Sequence, residues 1–222
     1  MYEILETKER ITADNDLEAA KLREKLKEKK VYFINLMGSP GAGKTTVLTH
    51  VINALKEKYR IGVMEADVDS SVDAETISKL GVRVIQLHSG GLCHMDADMT
   101  ARGLDGLGID GLDVIFLENI GNLVCPAEFD VGSALRMMIL SVPEGDDKPL
   151  KYPLMFTVSD VMLINKIDVA PIFDFDIERC KSYVRKLNPD MEFFPVSALK
   201  GDGLEAFETW LIDRIETWRN EA

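Results

Sequence analysis

A glycine-rich loop between an apolar run and a helical stretch constrains the fold of this chain more than any other feature. The loop is GSPGAGKTT, residues 38–46, and it follows the apolar run VYFINLM at 31–37. It fits the pattern G-x-x-x-x-G-K-[ST], in which backbone N–H groups surround phosphate oxygens and a lysine reaches the β- and γ-phosphates. The predicted phosphate-binding residues are Gly38, Gly41, Ala42, Gly43, Lys44, Thr45 and Thr46. The pattern therefore predicts a nucleoside triphosphate site at the end of the first strand.

The remaining sequence alternates between short apolar runs and stretches of helical composition. The further runs are 60–66, 82–87, 113–118, 136–142, 160–165 and 191–196, and the predicted helices lie at about 44–58, 71–80, 94–105, 174–187 and 203–219. Near-continuous apolar runs are typical of buried parallel strands, and their alternation with helices indicates βαβ units. We therefore predict a three-layer α/β domain with a doubly wound, mostly parallel sheet over residues 31–222.

An amphipathic helical segment is predicted before this domain, over residues 1–30. Leu17, Leu22 and Leu26 lie near helical spacing among charged residues. The segment does not resemble a signal peptide, and no run in the chain approaches the roughly 18 apolar residues of a membrane span. The net charge of −12 argues against a nucleic-acid partner, because such partners are bound through basic patches. We expect a cytoplasmic protein with neither a membrane nor a nucleic-acid partner.

The segment NKID, residues 165–168, directly follows a predicted strand and indicates which base the nucleotide carries. It resembles the guanine-reading motif of P-loop GTPases. Asp168 can accept from the N1–H and the exocyclic amine of guanine, while Asn165 would hold the loop and Lys166 would lie along the base. A second loop resembles the one whose backbone N–H contacts guanine O6, at Ser197, Ala198 and Leu199. GTP is therefore the predicted ligand, and the alternative is a polar loop in which Asp168 caps a helix.

Acidic residues follow two of the predicted strands and indicate a magnesium site beside the triphosphate. Asp67 and Asp73 follow the second strand, and Glu118 ends the strand at 113–118. Mg²⁺ prefers oxygen ligands and keeps several waters, so the Thr45 hydroxyl and one or two carboxylates suffice. The alternative for Asp73 is a helix cap. The residues expected to act at the γ-phosphate are Lys44, Asp67, Glu118 and, through its N–H, Gly121.

The sequence does not indicate which residue activates the attacking water. Many GTPases use a glutamine for this step. Gln86 is the one glutamine of the chain, and it lies inside the predicted strand 82–87, far from Gly121 in sequence. We therefore expect slow turnover unless a partner or a second subunit completes the site.

The segment GLCHMDADM, residues 91–99, places a cysteine beside a histidine in a chain that has three of each. The three cysteines cannot all pair within one chain, which favours a reducing compartment and metal or redox use over a disulfide framework. The plainer alternatives are a buried thiol for Cys93 and a helix-terminal side chain for His94. Cys180 has no partner by motif and is predicted to be a half-buried helix thiol.

Several segments together resemble one protein family. When ENIGNLVCPAEFDVG (118–132), GGLCHMDADM (90–99) and SVPEGDDKPLKYP (141–153) are added to the phosphate loop and NKID, most of the chain resembles the HypB family. These are GTPases of the SIMIBI class of P-loop proteins, and they assist nickel insertion into [NiFe]-hydrogenase. The resemblance implies the accessory protein HypA and the hydrogenase large subunit as partners. It also implies a nickel or zinc site formed by Cys93, His94 and Cys125.

The ligand count predicts how this metal site is completed. One chain offers three ligands by motif, whereas tetrahedral Zn²⁺ or square-planar Ni²⁺ needs about four. We therefore expect Cys93 and His94 to form half of a site that Cys125 completes across a GTP-dependent, two-fold homodimer. The preceding glycines, Gly90 and Gly91, would let the backbone aim both side chains at one ion.

The sequence departs from the family pattern at two places. The N-terminal segment contains neither cysteine nor histidine, so nickel storage there is not expected. Ala127 follows Cys125 and Pro126, where related urease GTPases keep Cys-Pro-His, and this disfavours a urease client. The alternative functions are a GTPase serving urease or another metalloenzyme, a small-molecule kinase, and a nucleotide-gated dimer with a structural zinc.

Overall fold

The computed structural model describes residues 9–221, which form a seven-stranded sheet with helices on both faces. The strands are β1 (Tyr32–Gly38), β2 (Ile61–Asp67), β3 (Arg83–His88), β4 (Val114–Glu118), β5 (Leu135–Ser141), β6 (Val161–Asn165) and β7 (Glu192–Pro195). All of them pair in parallel, in the order β3-β2-β4-β1-β5-β6-β7. The predicted doubly wound α/β fold is confirmed, and each predicted apolar run forms a strand. Residues 1–8 of the predicted N-terminal helix lie outside the described residues.

The helices follow the predicted order, with several short additions. They are α1 (Glu9–Glu28), α2 (Lys44–Leu55), α3 (Val72–Ser78), α4 (Ala97–Leu107), α5 (Cys125–Glu128), α6 (Lys148–Lys151), α7 (Pro153–Val158), α8 (Ile177–Arg185) and α9 (Leu204–Glu221). Two short 3₁₀ helices lie at Val142–Glu144 and Ile167–Ile172. The three helices α5 to α7 were not predicted, because four to six residues are too few to show a helical period.

Two predicted helices begin later than expected because an aspartate caps each of them. Asp96 accepts a hydrogen bond from the Met99 N–H at 2.8 Å, so α4 begins at Ala97 and not at 94. Asp176 accepts from the Arg179 N–H at 3.0 Å, so α8 begins at Ile177 and not at 174. Because α4 begins only at Ala97, Cys93 and His94 lie in a loop.

The apolar runs are nearly continuous because the sheet is buried on both faces. Every residue of β1 is buried. Phe33 packs in the cluster formed with α1 and α4, whereas the next residue, Ile34, packs on the opposite face with α2 and α9. Adjacent residues of one strand therefore both need apolar side chains, and no alternation remains in the sequence.

Helix α1 packs beside α4, on the same face of the sheet. Its contacts are made by Ala19, Leu22 and Leu26, which are buried. The expectation that Leu17 shares this face is wrong, because Leu17 is 62% exposed. No helix among residues 9–221 combines the length and the apolar character that crossing a bilayer requires.

The carboxyl ends of four of the parallel strands bring the predicted site residues to one edge of the sheet. β1 ends at Gly38, β2 at Asp67, β4 at Glu118 and β6 at Asn165. In parallel α/β sheets, ligands bind at this edge, where the loops after the strands meet.

Candidate nucleotide site and metal centre

The phosphate loop surrounds a cleft of about 620 Å³ at this edge. Gly43 has a φ of +97° and caps α2, and a side chain there would collide with the Asn165 amide. Lys44 follows as the first residue of α2, with 9% of its surface exposed and its Nζ 3.4 Å from the Ser39 carbonyl oxygen. The cleft is lined by Pro40, Gly41, Gly43, Lys44, Thr45, Thr46, Asp67, Val68, Asp73, Glu118, Ile120, Gly121 and Lys166. The N-terminus of α2 at this cleft suits the binding of phosphates.

Position 38 requires glycine because the neighbouring strand β5 leaves no room for a side chain. Its φ is +155°, and an added Cβ would lie 2.7 Å from the backbone oxygen of Ile139. Replacing Gly38 with alanine is expected to lower the free energy of unfolding by about 3 kcal/mol, from backbone strain together with this steric clash. Urea unfolding of the full chain would measure the loss.

A second glycine of the same loop serves as the matched control for this prediction. Gly41 also has a positive φ, +73°, but an added Cβ there meets no atom within 4 Å. Gly41→Ala should therefore cost only the backbone strain, about 1 kcal/mol. An equal loss of stability in both variants would show that the clash with β5 does not matter.

Asn165 connects the phosphate loop to the two predicted base-binding loops. Its Nδ2 donates to the Ala42 carbonyl at 2.9 Å, and its Oδ1 accepts from the Ala198 N–H at 3.1 Å. The next residue, Lys166, adopts a left-handed conformation with a φ of +64° and donates from Nζ to the Gly41 carbonyl at 2.6 Å. The structure thus brings three separate loops together through the NKID segment.

Asp168 lies beside this junction and is held ready to accept hydrogen bonds. Its Oδ1 accepts from the Ser197 hydroxyl at 2.7 Å, and this hydrogen bond lowers the pKa of the Asp168 carboxyl. An ionised carboxylate offers two acceptor oxygens. Leu199, the last residue predicted for this region, is 81% exposed.

Glu118 and a second carboxylate, Glu65, lie side by side below the phosphate loop. The two are register partners on β4 and β2, and both are buried. Burial and the neighbouring Glu118 charge raise the pKa of Glu65 well above its usual range. Burial also raises the pKa of Glu118, and the Lys44 charge opposes the rise in both pKa values. Sequence reasoning missed Glu65, because it reads as one more residue of a buried strand. The position of Glu65 near the carboxyl end of β2, the edge where ligands bind, could have indicated its role.

These carboxylates fit a magnesium ion. The Thr45 hydroxyl donates to Glu118 Oε1 at 3.0 Å. Glu118 Oε2 and Glu65 Oε1 are buried and have no hydrogen-bond partner among the described residues. Buried carboxylate oxygens without partners, next to a threonine hydroxyl, form the oxygen-rich site that Mg²⁺ prefers.

The two predicted aspartates lie at the rim of the same cleft. Asp67 accepts from the backbone N–H groups of Asp69 and Ser70 at 2.9 and 2.7 Å, which lowers its pKa and keeps it ionised. Asp73 lies in the first turn of α3 and lines the cleft without capping that helix. Gly121 closes the opposite side, where an added Cβ would lie 2.9 Å from the Pro40 ring.

Gln86 also lies in this region, although its distance from Gly121 in sequence argues against a place near the γ-phosphate. It is the register partner of Glu65 on β3. Together with Lys44, Glu65, Glu118 and Gly121 it lines a small cavity of about 40 Å³. Its Oε1 has no hydrogen-bond partner among the described residues. Strand order, which places β3 next to β2, brings it here.

Cys93, His94 and Cys125 converge in one cluster, and Asn122 links this cluster to the phosphate loop by bonding to both Cys125 and Gly38. Their possible ligand atoms all lie within 4.8 Å of one another. The sulfur atoms of Cys93 and Cys125 are 2.7 Å apart, and Nδ1 of His94 is 4.0 Å from the Cys93 sulfur. Gly90 and Gly91 have φ values of +64° and +97°, which is the turn expected to aim the pair. Two free thiols and an imidazole can bind Ni²⁺ or Zn²⁺.

The surroundings keep these side chains suited to a metal. The His94 ring stacks on Phe129, with centroids 3.9 Å apart and planes 9° from parallel. Burial lowers the pKa of His94, which favours the neutral imidazole that binds metals. The alternative of a helix-terminal histidine is wrong, because α4 begins only at Ala97. Cys93 is exposed, so it is not a buried thiol either.

Cys125 contacts Cys93 within one chain, so these two ligands meet without a dimer, and completion of the site across a two-fold dimer stays a prediction. Cys125 begins α5 of the same chain, and the loop after β4 carries it to Cys93. The sequence could not indicate this, because the contact joins residues 32 positions apart. A second chain is not needed for these three ligands.

Cys180 takes no part in this cluster. It lies on α8 in the apolar core and is fully buried, where burial raises the pKa of its thiol to about 12. The predicted structural role is consistent with this position, although the thiol is more buried than expected.

Comparison with known proteins identifies the family of this chain. A family model described as the CobW/HypB/UreG nucleotide-binding domain matches residues 32–195. Hydrogenase maturation factor HypB of Azotobacter chroococcum mcd 1 is 45% identical over 202 residues, covering 90% of this chain and 66% of that protein. HypB of Escherichia coli strain K12 is 40% identical over 208 residues, covering 94% of this chain and 72% of that protein. The chain thus spans about two thirds of the length of these relatives.

Solved structures give the same result. HypB from Helicobacter pylori in complex with nickel matches with a TM-score of 0.86 and 36% identity, covering 92% of this chain and 96% of that one. HypB from Archaeoglobus fulgidus matches with a TM-score of 0.85 and 33% identity, covering 91% and 99%. A LAO/AO transport system kinase, at 18% identity and a TM-score of 0.56, shares the fold alone. The chain therefore belongs to the HypB family of hydrogenase maturation factors, within the CobW/HypB/UreG nucleotide-binding proteins.

Proposed function

We propose that this chain is a GTP-hydrolysing metallochaperone that binds nickel and assists its insertion into [NiFe]-hydrogenase. The observation that carries the proposal is the convergence of Cys93, His94 and Cys125 within 4.8 Å, in a chain that also has a phosphate-loop cleft. The loop that ends in Cys125 starts at Glu118 inside that cleft, so one segment serves both sites. The nickel complex of the Helicobacter pylori relative supports nickel as the cargo.

The cleft residues have separate tasks in GTP hydrolysis. The phosphate loop holds the triphosphate, and Lys44 neutralises charge on the β- and γ-oxygens. Thr45 and Glu118, with Asp67 and Asp73 at the rim, would hold Mg²⁺. When bound, the ion would neutralise the charge that develops between the β- and γ-phosphates.

Asp168 is expected to select guanine, and Asp168→Asn tests this. The change replaces one carboxylate oxygen with an amide donor, which opposes the exocyclic amine of guanine and suits the carbonyl of xanthine. We expect GTP affinity to fall at least about a hundredfold, because a binding site selects strongly against a ligand whose hydrogen-bonding groups lose their partners. Affinity for xanthosine triphosphate should rise. Competition binding with GTP, ATP and xanthosine triphosphate measures both changes.

A nearby aspartate provides the control for this experiment. Asp174 is exposed and lies in the loop that follows Ile167–Ile172, so Asp174→Asn makes the same chemical change outside the predicted base site. It should leave the preference unchanged. If the unaltered protein bound ATP as tightly as GTP, guanine recognition by Asp168 would be excluded.

The cargo is tested by loading the full chain with Ni²⁺ and offering it to an accessory or hydrogenase acceptor. By family membership, HypA and the hydrogenase large subunit are the proposed acceptors. GTP should drive dimerisation and metal binding, and hydrolysis should release the nickel. Thiolate ligands need reducing conditions, which is consistent with the cytoplasm. Retention of tightly bound Zn²⁺ in every nucleotide state, with no transfer of Ni²⁺, would instead support a dimer with a structural zinc.

A further inference from the structure

We propose that Asn15, on the N-terminal helix α1, is a positioning residue of the metal centre. One side chain joins the two loops that carry the metal ligands and so sets the distance between them. The inference rests on the proposed metal-binding function. It gives α1 a role in that function, which neither its sequence nor its place outside the sheet suggested.

The amide of Asn15 forms one hydrogen bond to each loop. Its Oδ1 accepts from the Ala97 N–H at 2.9 Å, and its Nδ2 donates to the Asp130 carbonyl oxygen at 2.9 Å. An asparagine amide carries both an acceptor and donors, so it can bridge an N–H and a C=O. These partners are 82 and 115 residues away in sequence.

Both partners lie close to metal-centre residues along the chain. Ala97 is the first residue of α4, three positions after His94. Asp130 directly follows Phe129, whose ring stacks on His94. The bridge through Asn15 therefore holds the backbone beneath the imidazole at a set distance from the backbone beneath its stacking partner.

Helix α1 is itself fixed against the second loop, so Asn15 has little freedom to shift. Arg23 donates from Nη2 to both Asp130 carboxylate oxygens at 2.8 and 2.6 Å, and from Nε to the Ser133 carbonyl at 2.9 Å. Gly132 has a φ of +78°, and an added Cβ would lie 2.8 Å from the Ala19 carbonyl oxygen. The loop and the helix are therefore in close backbone contact.

Apolar packing under the helix extends to the first loop. Leu22 and Leu26 of α1 belong to the same buried cluster as Met95, which directly follows His94, and Val131. Both metal-bearing loops thus pack against one rigid helix. The Asn15 amide adds two directional hydrogen bonds to this packing.

A metal site depends on such outer contacts, because they hold the ligand atoms in the geometry that the ion requires. Loss of an outer contact typically lowers metal affinity about 10- to 100-fold. Asn15 acts through the backbone and not on a ligand atom, so Asn15→Ala should weaken Ni²⁺ binding by about tenfold, at the low end of this range.

The test is a titration of the full chain with Ni²⁺ alone, followed by the thiolate-to-nickel absorption band. Three variants are compared with the unaltered protein: Asn15→Ala, Asn15→Asp and Asn220→Ala. Asn15→Asp keeps the acceptor for the Ala97 N–H but loses the donor to the Asp130 carbonyl. Asn220 is exposed on α9, so the last variant makes the same change away from the site. GTP affinity is measured for each protein as a readout of the nucleotide site.

We expect both Asn15 variants to bind Ni²⁺ more weakly and with an altered absorption band, while their GTP affinity stays within about twofold of the unaltered protein. Asn220→Ala should match the unaltered protein in both measurements. Ni²⁺ affinity within twofold of the unaltered protein in either Asn15 variant would overturn the inference. A parallel loss of Ni²⁺ and GTP affinity in both variants would overturn it too, because it would indicate a general structural role.

The result also separates this inference from the proposed function. If the unaltered protein binds Ni²⁺ through its thiols but the Asn15 variants bind it equally well, only the positioning role fails. If the unaltered protein shows no thiolate-to-nickel band, the metal-carrying function fails and the inference falls with it.

Discussion

Replacing Lys44 with alanine is expected to lower GTP turnover by about 10²- to 10³-fold. Lys44 extends from the first residue of α2 into the cleft and lies close enough to Glu65 and Glu118 to oppose the rise in their pKa values. Its removal leaves two buried carboxyl groups next to the triphosphate without that positive charge. The loss should therefore affect both the binding of the anionic nucleotide and the stabilisation of the transition state.

Steady-state phosphate release, measured together with GTP affinity, separates these two effects. Lys56→Ala is the control, since Lys56 caps the other end of α2 and lies outside the cleft. That variant should keep its turnover within about twofold of the unaltered protein. Turnover of Lys44→Ala within tenfold of the unaltered protein would mean that GSPGAGKTT does not act as a catalytic phosphate loop.

The sequence predicts the sheet well because burial on both faces leaves a clear pattern. Each of the seven apolar runs forms a strand, and the loop after β1 has the glycines that its φ angles require. The chain also brings Asn165, Ala198 and Asp168 together, as a short motif at a strand end suggests. These features are local, so neighbouring residues carry the information.

Features that depend on strand order could not be predicted in this way. Glu65 becomes a partner of Glu118 only because β2 lies beside β4, and Gln86 reaches the cleft only because β3 lies beside β2. Neither neighbour relation follows from the apolar pattern of a single strand. The same holds for Asn15, whose two partners lie in distant loops.

One capping residue, Asp96, sets where α4 begins and therefore the backbone conformation of Cys93 and His94. Helical composition favours a start near 94, but the Asp96 side chain binds the Met99 N–H and ends the preceding loop at that point. Cys93 and His94 consequently stay in an irregular segment, where adjacent residues can both face one ion. Regular helix geometry would have turned them about 100° apart.

Replacing Cys125 with alanine is expected to weaken Ni²⁺ binding at least about a hundredfold, since losing a ligand should exceed the effect of losing an outer contact. GTP affinity in the absence of nickel should stay nearly unchanged, because Cys125 does not line the cleft. Cys180→Ala is the matched control, since it removes a thiol that is buried in the core. Full-stoichiometry binding in both Cys93→Ala and Cys125→Ala would mean that these cysteines are not the ligands.

The same substitution should also uncouple the metal from the nucleotide, because one residue contacts both sites. Asn122 donates from its backbone N–H to the Gly38 carbonyl at 3.2 Å, and its side-chain amide donates to the Cys125 sulfur at 3.5 Å. A metal bound to Cys125 can therefore shift, through Asn122, the first residue of the phosphate loop.

We expect Ni²⁺ to increase the preference for GTP over GDP, and GTP to tighten Ni²⁺ binding relative to GDP by the same factor. In Cys125→Ala the ratio of the GTP and GDP affinities, measured by calorimetry, should no longer respond to Ni²⁺. A ratio that still changed with Ni²⁺ in this variant would exclude the route through Cys125.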